Sequence, residues 1–212
     1  YDFLHKLHGQ ESQYYPLPSF LQTLSPLVQK FSVWCHWEDV QWMKEAIHLQ
    51  ALRKIFDCIK AYPTDLELHR MLASSYMFFY QIYQMPKGAS YFYSYIERQY
   101  SAPAMKEKFE KAARSAIEEL KVVLGYAPND PWALEQIAKV YLDLGLKQEE
   151  KKTYEALLSL KPEDGEIHYR LGKLYFELGH VAEGLHLYQE LQGRKDPKAQ
   201  ELIDHYDALY NA

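Results

Sequence analysis

Nine histidines and two cysteines are the side chains of this 212-residue chain best suited to hold a metal or attack a substrate. Neither set stands at a spacing that such chemistry needs. His5 and His8 share a helical spacing but lie in a stretch without an apolar period. Cys35 and His36 are neighbours with no second ligand pair. Cys35 and Cys58 form no CxxC motif and are too few for a disulfide framework. They read as thiols of a reducing compartment, which makes a cytoplasmic setting the expectation. No phosphate-binding loop, dinucleotide glycine motif, HExxH or GxSxG is present. The carboxylates are spread as on solvated helix faces. The chain therefore reads as noncatalytic, with no metal and no cofactor.

Binding is the remaining prospect, and composition narrows the partner. A formal charge of −5 and a pI near 6.0 weigh against nucleic acid and anionic membranes, whose binders are normally basic. No apolar run approaches the roughly 18 residues of a membrane span, and no secretory signal opens the chain. It starts at Tyr1 instead of Met, so it reads as a fragment. A 48% hydrophobic and 25% charged composition supports a folded core. The 19 Tyr, 9 Phe and 4 Trp make aromatic positions the ones to follow, since such rings dominate cores and interfaces.

Residues 165–179 read GEIHYRLGKLYFELG and residues 66–80 read LELHRMLASSYMFFY, nearly one phrase written twice. A shift of 34 places Gly145 on Gly179, Ile137 on Leu171, Ala138 on Gly172 and Tyr141 on Tyr175. The same shift superposes Leu144 on Leu178, Tyr154 on Tyr188 and Leu157 on Leu191. Each unit carries two patterns with a helical period. Ile167, Leu171, Leu174 and Leu178 mark the first, Gly179 its left-handed cap, and Leu185, Tyr188 and Leu191 the second. Neither helix pair can bury its apolar face alone, so successive pairs must stack.

On these residues the chain resembles the tetratricopeptide repeat family. Residues 165–198 carry His168, Leu171, Gly172, Tyr175, Gly184, Tyr188 and Pro197 at the family's signature places, the proline one place late. Residues 131–164 carry Leu134, Ile137, Ala138, Tyr141, Tyr154 and Pro162, but Glu150 stands where a small residue is expected. The resemblance implies an all-α, right-handed superhelical stack of antiparallel helix pairs forming one continuous solenoid. Its parts would be a lead-in and first helix at 1–31, a degenerate repeat at 32–65, and a repeat at 66–130 interrupted by an insertion at about 84–103. Repeats at 131–164 and 165–198 and a capping helix at 199–212 complete it. Trp34, Trp37 and Trp42 fall near one helical face and are expected in the core, as are Ala51, Ile55 and Cys58.

The resemblance also implies a peptide-binding groove along the first helix of each repeat. Its lining would be Arg70, Met71, Ser74, Met77 and Phe78, then Trp132, Glu135, Gln136, Lys139 and Asp143, then Tyr169, Arg170, Lys173 and Glu177. Such a mixed lining suits a peptide or protein segment with some acidic character. The family's clamp for a chaperone carboxyl terminus is disfavoured, because Ser74, Lys139, Met71 and Gln136 stand where it needs other side chains. A second contact surface is expected in the insertion, which crowds Tyr91, Phe92, Tyr93 and Tyr95 and could support homo-oligomers. Two further roles fit the same fold: a chaperone of a secreted or aggregation-prone client, or a regulatory or scaffold segment of a larger enzyme.

Overall fold

Pro26 sits in a first helical turn, where its missing N–H costs nothing, and no Gly or Pro follows until Pro63. In the computed structural model, which describes residues 18, 24–84 and 98–210, this stretch is one helix, α1 (Ser25–Ala61). The sequence reading splits it near residue 32 into a helix pair; with no breaker inside, the helix has no reason to stop. Its covered side runs through Trp37, Gln41, Lys44 and Leu52. Of the residues expected in the core, Trp37 is buried, but Trp42 is 70% exposed, and Ala51 and Cys58 also face solvent. A continuous helix turns 100° per residue, so Trp42 cannot share a side with Trp37.

The remaining helices are α2 (Leu66–Gln81), α3 (Pro103–Tyr126), α4 (Pro131–Leu144), α5 (Lys147–Leu160), α6 (Gly165–Glu177), α7 (Val181–Gly193) and α8 (Lys198–Tyr210). No strand occurs among the described residues. The chain divides into two compact units, Tyr1–Ala116 and Ile117–Ala212, with α3 running through both.

In the first unit α2 packs on α1. Gln41 Nε2 donates to the Ile82 carbonyl at 2.7 Å, Trp37 meets Tyr100 edge-on at 5.9 Å, and Tyr80 meets Phe109 of α3 at 5.5 Å. Lys44 is only 2% exposed, and burial lowers its ammonium below the ordinary lysine range.

In the second unit the 34-residue period is visible in the backbone. α4 begins at Pro131 and α6 at Gly165; α5 begins at Lys147 and α7 at Val181. Gly145 and Gly179 both adopt positive φ, +69° and +79°, a conformation that glycine takes at little cost. Two residues downstream of Pro63, Pro128 and Pro162 stands an aspartate that starts the next helix. Asp65, Asp130 and Asp164 have nearly the same dihedrals, and each carboxylate accepts from the N–H groups two and three places on, at 2.9 to 3.5 Å. Within this unit α4 packs on α5, α5 on α6, α6 on α7, and α8 on both α6 and α7.

Small residues set how closely these helices approach. A Cβ added to Gly172 would lie 2.7 Å from Leu202 of α8, and one added to Gly184 would run into the Phe176 ring. Phe176, Leu191 and Leu202 are among the most deeply buried side chains, with the Tyr206 ring tilted against Phe176 at 5.0 Å.

Candidate peptide-binding face

His69 and His168 occupy the signature aromatic place of their repeats, and both turn inward. His69 Nε2 donates to the Pro63 carbonyl at 2.9 Å, and His168 Nδ1 donates to the Asp164 carbonyl at 2.8 Å. The second nitrogen of His168 lies 3.0 Å from Glu190 Oε2. Each ring thus ties its helix to the turn before it, which directs the flanking residues outward.

Of the expected groove residues, Arg70, Met71, Ser74, Met77 and Phe78 belong to the first unit. Phe78 is 54% exposed, Arg70 donates to Glu67 at 2.6 Å, and Met77 is nearly covered. The other nine lie in the second unit. Gln136 and Lys139 of α4 are matched 34 residues later by Arg170 and Lys173 of α6, so each pair takes equivalent places in consecutive helix pairs. Lys139 donates to Gln136 at 3.4 Å, and Arg170 Nε donates to Glu166 at 2.8 Å. Trp132 is half-buried at the start of α4. Tyr169 is half-buried against α8, its ring facing Lys173 at 5.6 Å and Lys198 at 4.9 Å.

The same side of the second unit carries a charge cluster that sequence reasoning did not assemble. Glu177 pairs with Lys147 at 2.8 Å and lies 3.5 Å from His205 of α8. Glu150 of α5 is 3% exposed, and its carboxyl is pushed up to about 7. Burial is the main cause, reinforced by Glu177 and by Asp143, while Arg170 and Lys147 oppose it. His205 is held below the usual imidazole value by burial and by Lys173, against the pull of Glu177. The departure at 150 was legible as a wrong-sized residue; its electrostatic company was not, because those groups come from four helices.

Tyr91, Phe92, Tyr93 and Tyr95 lie outside the described residues, as do His5 and His8. Among the described residues no group of three or more His, Cys, Asp or Glu could hold a metal ion, and Cys35 and Cys58 are exposed free thiols. No described helix is long and apolar enough to cross a membrane.

Taken with the repeated turns and caps, these helix pairs make an all-α helical repeat with a 34-residue period. A solved structure of similar chain trace is TTC0263, a thermophilic TPR protein of Thermus thermophilus. It is 18% identical, with 98% of this chain and 89% of that one covered at a TM-score of 0.47. No family model matches the sequence. No curated protein matches it either.

Proposed function

We propose that the chain is a noncatalytic protein-interaction module, which holds a peptide or protein segment along the first helices of its repeats. The observation that carries this reading is the equivalence of Gln136 with Arg170 and of Lys139 with Lys173 on α4 and α6. A row of donors recurring at a fixed period addresses a ligand that is itself extended along the row, as a peptide is and a small molecule is not. Trp132 and Tyr169 border this row and supply apolar contact. In the first unit Arg70, Ser74 and Phe78 are proposed as a contact surface of their own, with Phe78 as the apolar anchor. The insertion tyrosines are a second proposed contact surface, on composition alone.

Affinity capture with the chain, repeated with Arg170→Glu/Lys173→Glu, tests the groove. Loss of the captured partner at unchanged melting temperature is the expected result; full retention would exclude this face. A deletion of 86–102 run alongside assigns or removes the insertion as a contact.

A further inference from the structure

About half a turn around α2 from Ser74, counting 100° per residue, lie Tyr76 and Phe79, with Tyr83 just past the helix end at Gln81. They floor a cleft of about 370 Å³ in the first unit. One wall comes from α1, with Leu49, Leu52 and Phe56. The other comes from α3, with Ala112 and Ser115. Ring contacts fix the floor: Phe56 meets Tyr76 edge-on at 6.4 Å, and Phe79 meets Tyr83 at 5.4 Å.

The rim is basic in a chain of net negative charge. Arg53, Lys108 and Lys111 border the cleft. Lys108 is held by Glu45 at 2.7 Å and sits 5.7 Å above the Tyr83 ring. The side chains of Arg53 and Lys111 make no ion pair or hydrogen bond among the described residues. Two cations without a partner among the described residues, beside exposed aromatic surface, are complementary to an apolar group flanked by carboxylates. The cleft also opens onto a row along α1, where Trp42, Leu49 and Phe56 recur every seven residues and are 70%, 42% and 40% exposed. That row spans about 21 Å at 1.5 Å per residue. A lone amphiphile fills the cleft and leaves the row bare, whereas a polypeptide segment covers both.

We propose that this cleft is a second binding site, taking a segment of another protein that presents an aromatic or branched apolar side chain between acidic residues. It lies on the side of α2 facing away from Ser74, so its ligand does not compete with one bound along the first-helix row.

A phage-displayed random 12-residue library selected on the whole chain tests this. Selected peptides are then synthesised with a fluorescent label, and binding is read by anisotropy against the parent, Arg53→Glu/Lys111→Glu, Phe56→Ala and Arg170→Glu/Lys173→Glu. All substituted side chains except Phe56 are surface cations, and Phe56 is itself 40% exposed, so the variants should retain the fold, with circular dichroism as the check. The proposal expects peptides rich in Asp or Glu around an apolar anchor. Their affinity should fall at least tenfold in Arg53→Glu/Lys111→Glu and severalfold in Phe56→Ala, and stay unchanged in Arg170→Glu/Lys173→Glu. A selection that returns no peptide dependent on Arg53 and Lys111 overturns it. So does light scattering that shows a dimer dissolved by Arg53→Glu/Lys111→Glu, since the occupant would then be a second copy of this chain.

Discussion

Glu150 on α5 and Gly184 on α7 hold the same place in consecutive helix pairs, and both are buried. Where glycine stands, the Phe176 ring fills the space above it. Thirty-four residues before Phe176 stands Leu142, which is 50% exposed and covers no such space. The glutamate thus occupies room that the next repeat gives to an aromatic ring.

Its titration makes stability pH-dependent. The ordinary carboxyl value of 4.5 is raised to about 7 in the fold. Between these values the folded chain keeps a proton that the unfolded chain releases, so stability falls as pH rises from about 4.5 to 7 and stays low above. Glu150→Ala should therefore be more stable than the parent at pH 8 by about 1–3 kcal/mol after solvent screening, and the gap should narrow at pH 5. Urea melts at the two pH values measure it; a gap independent of pH would place the charge elsewhere.

Gly184→Ala should destabilise in spite of alanine's higher helix propensity. The added Cβ would clash with three atoms of the Phe176 ring. Overpacking of this kind costs about 1–3 kcal/mol, against roughly 1 kcal/mol regained from propensity. Thermal melts of this variant alongside Gly193→Ala, where nothing lies within 4 Å, separate the two effects.

Asp164→Ala removes a cap that accepts from Glu166 and Ile167 at 3.0 and 3.3 Å. A loss of about 1 kcal/mol is expected, whereas Asp164→Asn should keep most of the parent's stability. Equal losses for both substitutions would mean that the negative charge, and not the accepted hydrogen bonds, stabilises α6.

Lys44→Met should stabilise the first unit. The ammonium is almost wholly covered and makes no hydrogen bond or ion pair among the described residues, so none of these offsets its desolvation. Methionine keeps the length of the stem and removes the charge, for an expected gain of about 1–3 kcal/mol. Because the buried ammonium's pKa is lowered, the parent gains stability as pH rises through that value, and the gap should close in alkali. Melts at pH 7 and 10 read it.

The second unit was readable from sequence because its information is local. Glycines at 145 and 179, prolines at 128 and 162 and the apolar spacing between them each act over one turn of chain. The aspartates at 65, 130 and 164, always two places after a proline, are signals of the same local kind. The first unit was harder. Its long α1 announces no boundary, so the choice of buried side fell on Trp42, Ala51 and Cys58 when Lys44 and Gln41 in fact turn inward. A polar residue on the covered side defeats any reading by hydrophobic period. The cleft was beyond reach in a different sense: its floor and walls come from three helices, and only packing brings Arg53 and Lys111 to one rim.

The repeated Pro-x-Asp turn has a consequence for how the chain is made. Each one closes through bonds no longer than a few residues: Tyr62 N–H to Cys58, Ala127 N–H to Val123, Lys161 N–H to Leu157, and the aspartate onto the helix that follows. A corner of that kind can set as soon as its residues leave the ribosome, without waiting for distant sequence. A nascent chain would acquire its bends in the order of translation, each new helix meeting a neighbour already in place.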